Sequence, residues 1–419
     1  MVNFLLILDP SIFWRTCSID IIEPDLLGYL LTLTALLIIN FRIMGSFLEK
    51  NNSKKQKLIF LLSLINFLIV CILSVNNIFY FYLIFELSVI PIYLIIAGWG
   101  YQPERTNASN ALLFYTVVFS CPFLIYISYI IIYSCSGNIP IFNYTFSYLG
   151  GDSSILIITN LMLLNCFLVK IPIYGMHIWL PKAHVEAPVY GSIELAGILL
   201  KLGGVGLVRF SNLKLESYII ELISLISILR IFFISVSCIF ISDLKVIIAY
   251  SSVAHMSLVI ICLMADCKLG VLSRIVIMCT HAFSSSGIFF VSFLIYQRSN
   301  SRDFTLNKGL ISKDPKMASV VAILVLSNIS TPPIVNFIGE TFSFIIAISV
   351  FPYSGFIIFL GIIFSSFYSI KIYSSSFQGK SSIESFNSSG TFNNISFFLL
   401  LCYVFIIVII NFVVYNFFY

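Results

Sequence analysis

The chain has 419 residues, of which 59% are hydrophobic and only 10% are charged, and its mean hydropathy is +1.05. Soluble domains carry about 25% charged residues, so this composition is typical of a polytopic membrane protein. The polar stretches are too short to form a soluble domain. The net charge of +5 is too small to indicate a nucleic-acid partner.

The apolar segments predict an all-α protein with about twelve membrane-spanning helices, since one span needs roughly 20 apolar residues. The predicted spans are 26–44, 58–75, 78–98, 108–133, 155–179, 188–209, 216–240, 245–264, 270–296, 317–347, 352–376 and 395–419. We expect no cleavable signal peptide, because Asp9, Pro10, Arg15 and Asp20 interrupt the apolar run at the N-terminus.

The loops differ in charge. The polar segments 49–57 and 297–316 are rich in lysine and arginine, and with twelve spans they fall on one side of the membrane. The segments 74–77 and 136–154, on the other side, are nearly free of cations. The positive-inside rule therefore places the basic loops on the cytoplasmic or matrix side.

Two of the predicted spans contain prolines beside a charged residue. Pro172 follows Lys170 by two positions, and Pro332 and Pro333 precede Glu340 in "STPPIVNFIGE". Proline removes a backbone donor and clashes with the preceding turn, so we expect both spans to unwind locally. Irregular backbone at membrane depth persists only where protein or a water-filled cavity surrounds it.

A pair of broken spans in corresponding halves is typical of inverted-repeat transporters. We therefore expect two five-helix repeats flanked by shorter terminal regions. The predicted division is 1–57 with about one spanning helix, 58–209 as the first repeat, 210–376 as the second repeat, and 377–419 as a polar loop with the last helix.

Ionisable residues lie deep in the predicted spans. They are Glu86, Lys170, Lys201 and Glu340, and the four histidines, His177, His184, His255 and His281, fall near them in this scheme. A charge at the centre of a bilayer costs roughly 2.5–3.5 kcal/mol on insertion scales, so such groups usually face a bundle interior and mark an ion or proton route. Histidine can pass a proton in either direction near neutral pH.

Other interpretations of these residues stay open. A buried glutamate or lysine can be a packing ion pair, and a histidine near serines is often a core residue with satisfied hydrogen bonds. Lys182, His184 and Glu186 are interpreted as a loop with an interfacial or structural role. Two carboxylates, two lysines and at least two histidines exceed what packing requires, so we favour a proton relay. In it, a lysine keeps its proton beside a carboxylate and releases it when that carboxylate is neutralised or moves away.

No cofactor site is indicated in this polypeptide. Its ten cysteines are scattered without a CxxC or Cys/His cluster, and we find no glycine-rich phosphate loop or nucleotide-binding fingerprint. We therefore expect no redox cofactor and no metal in this chain.

From about Leu73 to Tyr373 the motifs resemble the NADH dehydrogenase subunit 4 family, the antiporter-like subunits of respiratory complex I. The family pattern "VKxPxxxxHxWLPxAHxxAP" followed by "GSxxLAGxLLKxGxxGxxR" here reads "VKIPIYGMHIWLPKAHVEAP" and "GSIELAGILLKLGGVGLVR". "FELSVIPIYLIIAGWGYQPERTNASNALLFYT", "DLKVIIAYSSVAHMSLV" and "STPPIVNFIGE" resemble its glutamate helix, histidine helix and broken exit helix.

The resemblance implies a role for each matched residue. It makes Glu86 the partner that modulates Lys170, Lys201 the central relay lysine, Glu340 the end of the lateral path, and His255, His281 and His177 the connecting groups. It also implies proton translocation coupled to NADH:ubiquinone oxidoreduction in the mitochondrial inner membrane. FMN, iron–sulfur clusters, NADH and ubiquinone are expected in other subunits. The expected partners are neighbouring antiporter-like and accessory subunits and membrane lipid, including cardiolipin.

Three features depart from the family pattern. The family usually has fourteen spans, so one or two N-terminal helices are expected to be missing. Arg230 stands where we expect a small residue, and we favour a side chain that snorkels along a lipid or accessory-subunit surface over an extra buried charge. Glu194 lies seven residues before Lys201, and we expect it on the same helix face, where it tunes that lysine.

Two other functions remain compatible with these motifs. A free-standing cation/proton antiporter uses the same residues, and a passive structural spacer would use the charges only to lock helices together. The absence of a soluble cation-sensing domain disfavours the antiporter, and the complete Glu–Lys–Lys–Glu set disfavours the spacer.

Overall fold

The structure is a computed structural model that describes residues 26–46, 52–134, 137–139, 154–210, 217–265, 267–304, 306–379 and 394–418. Within these ranges the regular structure is helical, apart from two isolated bridges that join Asn77 to Asn138 and Asp243 to Asp303. The prediction of an all-α protein is confirmed.

The helices follow the chain in the order of the predicted spans, several of which divide into shorter segments. The first half holds α1 (Leu26–Ser46), α2 (Asn52–Ser74), α3 (Ile78–Leu87), α4 (Val89–Trp99), α5 (Arg105–Ser134), α6 (Ser154–Lys170), α7 (Trp179–Glu186), α8 (Val189–Glu194), a π-helical turn (Leu195–Leu199) and α9 (Leu200–Arg209). The second half holds α10 (Ser217–Phe240), α11 (Leu244–Met264), α12 (Lys268–Ser299), a 3-10 turn (Leu310–Ser312), α13 (Pro315–Ile329), α14 (Val335–Val350), α15 (Ser354–Phe377) and α16 (Asn394–Phe418).

Nine helices in the described residues are long and apolar enough to cross a membrane. Four shorter apolar helices, Leu27–Phe41, Asn160–Lys170, Pro315–Ile329 and Val335–Val350, fall in other predicted spans. All of these segments overlap the predicted ones, so the prediction of a polytopic membrane protein is confirmed, and the total of twelve spans stays a prediction.

The first predicted break lies directly after Lys170. Helix α6 ends there, and the chain is not helical again until Trp179. Pro172 has no amide hydrogen to donate, and the Ile173 amide bonds to the Leu168 carbonyl, one residue further back than in an α-helix. The proline therefore unwinds this span as predicted.

The second predicted break separates α13 from α14. Ser330 has a left-handed backbone with φ of 60° at the end of α13, and the Val335 amide donates to the Asn411 side chain at 3.0 Å. The prolines of "STPPIVNF" interrupt the span as expected, and the irregular backbone finds a hydrogen-bond partner on α16.

Two further irregularities were not predicted. Ser88 separates α3 from α4 three residues before Pro91, and its hydroxyl donates to the Phe85 carbonyl at 2.7 Å. The π-helical turn Leu195–Leu199 lies directly before α9, and in it the Leu200 amide bonds to the Leu195 carbonyl. π-helical turns are rare and often occur at functional sites.

An aromatic cluster holds the first half together around the start of the first break. The rings of Phe81, Phe85, Phe123, Phe167 and Phe210 lie with centroids 5.3–6.2 Å apart. Helix α9 approaches α6 through its glycines, and a methyl group at Gly206 would come within 2.2 Å of the Phe167 ring. This close packing fixes α9, and with it Lys201, relative to the end of α6.

Candidate functional site

Lys170 is held at the end of α6 by the irregular junction between α3 and α4. Its ammonium nitrogen donates to the Phe85 carbonyl at 3.1 Å and lies 3.0 Å from the centroid of the Phe85 ring, and the residue is only 5% exposed. Glu86, the next residue on α3, is half-buried, and its Oε1 makes no hydrogen bond. Lys170 therefore bonds to the residue directly before its predicted partner.

A small cavity adjoins Lys170 on the side of the π-helical turn. Its volume is about 20 Å³, which is room for about one water molecule. Besides Lys170 it is lined by Val89, Ile92, Leu112, Thr116, Trp179, Leu195 and Leu199. The lining is mostly apolar, so Lys170 and the π-helical turn are separated by a narrow and poorly polar space.

Lys201 lies at the start of α9 and is 1% exposed. Its ammonium nitrogen reaches back to the Ala196 carbonyl at 2.5 Å, inside the π-helical turn, and lies 3.0 Å from Nδ1 of His281. A charged amine buried this deeply needs hydrogen-bond acceptors. The π-helical turn and the histidine of α12 provide them.

The row of contacts continues from His281 to His255 and from His255 to Glu340. The two imidazole rings have centroids 5.2 Å apart, and Nδ1 of His255 lies 3.0 Å from a carboxylate oxygen of Glu340. Four sequence-predicted residues, from α9, α12, α11 and α14, thus form one connected row, which we call the Lys201–Glu340 file. Its members are Lys201, His281, His255 and Glu340.

Three polar residues that were not predicted surround Glu340. The Ser330 hydroxyl donates to the carboxylate at 2.5 Å, the Asn336 amide donates to the same oxygen at 3.2 Å, and the Thr280 hydroxyl donates to the Asn336 amide oxygen at 2.8 Å. Asn336 is four residues before Glu340 on α14, a spacing that places two side chains on one helix face and could have identified it. Nothing comparable in the sequence points to Ser330 or Thr280.

The hydrogen bonds assign a tautomer to each histidine of the file. When Lys201 is charged it donates to Nδ1 of His281, so a neutral His281 carries its hydrogen on Nε2. When Glu340 is charged it accepts from Nδ1 of His255, which leaves Nε2 of a neutral His255 as an acceptor. A hydrogen-bond donor and an acceptor therefore belong to adjacent rings, which suits proton transfer between them.

His177 lies outside this file. It sits half-buried in the break after Lys170, where Nδ1 accepts from the Gly175 amide at 3.3 Å and the ring stacks on Tyr174. Its other ring contact is with Tyr250 on α11. The structure therefore places His177 beside the broken helix, as expected, and not between the two lysines.

The interpretation of residues 182–186 as a loop was wrong. They belong to helix α7, in which Lys182 is exposed but His184 and Glu186 are buried. His184 stacks face to face on Phe289 with centroids 4.7 Å apart, while Glu186 lies 3.9 Å from Arg302. Burial raises the pKa of the Glu186 carboxyl, and the nearby Arg302 opposes that rise.

The favoured position for Arg230 was also wrong. The residue does not snorkel to a surface: it is 0% exposed, and its guanidinium donates to the backbone carbonyls of Pro172 and Val253. A signal for burial was present in the sequence, since Ser224 and Ser227 precede Arg230 at three-residue spacing on α10 and both are buried. Arg230 is the extra buried charge that was the less favoured alternative.

Glu194 is buried at the end of α8, and the π-helical turn lies between it and Lys201. The expected shared face assumed a continuous α-helix. A π-helical turn changes the bonding from i+4 to i+5 and so shifts the register between these two residues. The tuning of Lys201 by Glu194 stays a prediction.

In the part of the chain that the structure describes, no group of three or more His, Cys, Asp or Glu side chains is arranged to hold a metal ion. The side chains that the site brings together are two amines, two carboxylates and two imidazoles, all of which can donate or accept protons.

Comparison with known proteins gives a consistent family. Residues 74–367 match the family model described as NADH:quinone oxidoreductase/Mrp antiporter, transmembrane. The chain is 43% identical over 307 residues to NADH-ubiquinone oxidoreductase chain 4 of Artemia franciscana, covering 72% of this chain and 75% of that one. It is 41% identical over 323 residues to the chain of the same name from Ceratitis capitata, covering 75% and 70%.

The fold is also similar to that of a solved structure, respiratory complex I from Thermus thermophilus with bound NADH. The TM-score is 0.80 at 20% sequence identity, and the match covers 92% of this chain and 80% of that chain. The two chains therefore share a fold.

Proposed function

Because this chain belongs to the NADH:quinone oxidoreductase/Mrp antiporter family, as a membrane subunit of NADH:ubiquinone oxidoreductase (respiratory complex I), we propose that its own buried charges carry protons across the membrane. The process is coupled to NADH:ubiquinone oxidoreduction in the mitochondrial inner membrane. About twelve spans, with five-helix repeats at 58–209 and 210–376, form the scaffold.

The observation that supports this function most strongly is the Lys201–Glu340 file. Its residues come from four helix segments, yet each lies within hydrogen-bond or ring-contact distance of the next. Packing alone does not require a lysine, two histidines and a carboxylate in a row, and each buried ionisable group is costly to place at this depth. Proton transfer requires such an arrangement.

The transfer proceeds in three steps. The Lys201 ammonium gives a proton to Nδ1 of His281, Nε2 of His281 passes its hydrogen to Nε2 of His255 directly or through one water, and Nδ1 of His255 gives its hydrogen to Glu340. One proton leaves the lysine, one arrives at the carboxylate, and each ring is left as its other tautomer. Ser330 and Asn336 hold the accepting carboxylate in place.

Glu86 and Lys170 control the supply of protons to the file. While Glu86 is charged it favours the protonated form of Lys170, and its neutralisation releases that proton toward Lys201. The small cavity beside Lys170 provides the site for an intervening water. His177, at the break, has a secondary role in connecting this end of the axis.

The redox chemistry takes place in other subunits of the complex. FMN, the iron–sulfur clusters, NADH and ubiquinone bind there, and this chain contributes no redox cofactor. Its partners are the adjoining antiporter-like and accessory subunits and inner-membrane lipid, with cardiolipin as the expected anionic component.

The test is the variant Lys201→Ala in the assembled complex. We expect coupled ubiquinone reduction and proton transport to fall together to about a tenth or less, because a proton-transfer group typically contributes about 10²- to 10⁴-fold. Lys371→Ala is the control, since the Lys371 ammonium also has two hydrogen-bond acceptors, the Ile239 and Ile241 carbonyls, but lies outside the file. The measurements are NADH-dependent ubiquinone reduction and acidification in sealed vesicles.

Unchanged rates in a fully assembled Lys201→Ala complex would contradict the proposal. Sodium-dependent transport by the chain, with no coupling to ubiquinone reduction, would favour a cation/proton antiporter. If Lys371→Ala prevented assembly while the Lys201→Ala complex kept normal rates, the result would favour a structural role for the buried charged residues.

A further inference from the structure

Arg230 lies in the middle of an apolar spanning helix and is completely buried. Its neighbours in the sequence "ISLISILRIFFISV" are apolar or hydroxyl residues, and its exposed fraction is 0%. A buried arginine in a spanning helix is costly, so its contacts must compensate that cost. None of the transfer steps described above uses this guanidinium.

The two contacts of Arg230 join different parts of the molecule. Nη1 donates to the Pro172 carbonyl in the break after Lys170, and Nη2 donates to the Val253 carbonyl on α11, two residues before His255. A planar guanidinium presents its donors in a fixed fork, so both acceptors are held at once.

The Pro172 carbonyl is available because the helix is broken. In a continuous α-helix it would accept from the Met176 amide, but that amide donates to the Ile173 carbonyl at 3.0 Å. A buried carbonyl without a partner is costly. Arg230 supplies the missing donor, so the guanidinium and the break stabilise each other.

We propose that Arg230 is a positioning residue that fixes the break after Lys170 against the helix that carries His255. The inference deepens the proposed function and rests on it, because it links the proton-supplying end of the axis to the file. Without the guanidinium, the Pro172 carbonyl is released and the segment 171–178 opens more often. The end of α6, which carries Lys170, then loses its fixed position relative to α11.

Arg209, at the end of α9 in the first half, is a matched control. It is also buried, and its guanidinium donates to the carbonyls of Ile72, Leu73 and Val75. Its acceptors lie at the end of α2 and just beyond it, away from the break. Arg230 and Arg209 are therefore both buried arginines that hold backbone carbonyls, and they differ in which segment they hold.

The experiment compares Arg230→Met, Arg230→Lys and Arg209→Met in the assembled complex. Hydrogen exchange followed by mass spectrometry measures the opening of 171–178, and vesicle assays give the protons moved per NADH oxidised. For Arg230→Met we expect exchange in 171–178 to be about tenfold faster, the effect of losing a hydrogen bond of about 1.4 kcal/mol, together with fewer protons per NADH. Arg230→Lys keeps a cation without the fork, so an intermediate increase is expected.

Arg209→Met is expected to leave exchange in 171–178 unchanged. The inference is overturned if assembled Arg230→Met exchanges this segment at the normal rate, or if both methionine variants accelerate it equally. Where Arg230→Met does not assemble, the inference is overturned if Arg230→Lys exchanges 171–178 at the normal rate, or no faster than Arg209→Met does. Because exchange does not depend on proton transport, this outcome is separate from the Lys201→Ala test, which alone decides the proposed function.

Discussion

The two ends of the charged axis are built differently. At the Glu340 end, each ionisable side chain contacts the next one, and the carboxylate is surrounded by hydroxyl and amide donors. At the Glu86 end, Lys170 bonds to a backbone carbonyl and an aromatic ring, and a mostly apolar cavity adjoins it.

The difference indicates where the route is continuous and where it is gated. The Lys201–Glu340 file is connected by hydrogen bonds and ring contact in this structure, so it needs little rearrangement to conduct. The Lys170 end needs water or a shift of side chains, because the lining that separates it from the π-helical turn offers few polar groups. The unwound backbone after Lys170 can move more easily than a continuous helix, so this end is where we expect the barrier to be controlled.

The largest effect is expected from breaking the file at a histidine. His281→Leu removes both ring nitrogens between Lys201 and His255, so coupled proton transport should fall to about a tenth or less, on the scale of a lost acid–base group. Acidification of sealed vesicles by the assembled complex is the measurement. His184→Leu is the comparison, since that buried histidine stacks on Phe289 outside the file. If His281→Leu and His184→Leu lost the same share of proton transport, the effect could not be assigned to the Lys201–Glu340 file.

An intermediate effect is expected at the accepting carboxylate. Ser330→Ala removes the closest donor to Glu340, and the loss of one hydrogen bond of about 1 kcal/mol corresponds to a roughly fivefold slower transfer. Ser327→Ala is the matched control, because its buried hydroxyl donates only to its own helix, at the Leu324 carbonyl. The measurement is the rate of coupled ubiquinone reduction. A control as slow as Ser330→Ala would mean that the effect comes from α13 and not from Glu340.

The smallest effect is expected at the gated end. Thr116 lines the cavity beside Lys170, and its hydroxyl donates to the Leu112 carbonyl of its own helix. Thr116→Val keeps the size of the side chain but removes this hydroxyl as an acceptor for water, so transport should fall about twofold. Thr34→Val, in a helix that does not line the cavity, removes a similar hydroxyl bonded to its own helix. The measurement is the rate of vesicle acidification in water and in heavy water, and the ratio of the two rates gives the isotope effect. A Thr116→Val complex with normal transport and an unchanged isotope effect would show that water does not use this cavity.

The features that the sequence predicted correctly depend on local chemistry. Pro172 and Pro332–Pro333 cannot complete the hydrogen bonds of an α-helix, so the breaks were predictable from the residues themselves. The burial of Lys170, Lys201 and Glu340 followed from the apolar residues that flank each of them.

The features that were missed depend on neighbours distant in sequence. Lys201 and His281 are 80 residues apart, and no spacing rule relates them. The acceptors of Arg230, the Pro172 and Val253 carbonyls, are 58 and 23 residues away in the sequence, so no local pattern relates them to it. The π-helical turn before Lys201 shows no proline or polar signal in "LAGIL".

The sequence by itself determined that the chain is a membrane protein, where its helices lie, and where two of them break, because hydropathy and proline act over a few residues. Only the tertiary structure decided which ionisable groups touch and which are held apart. Contacts such as Lys201 with His281, His255 with Glu340, and Arg230 with Pro172 exist because separate helices pack side by side. Low-dielectric burial then makes each buried polar group dependent on the partner that packing provides.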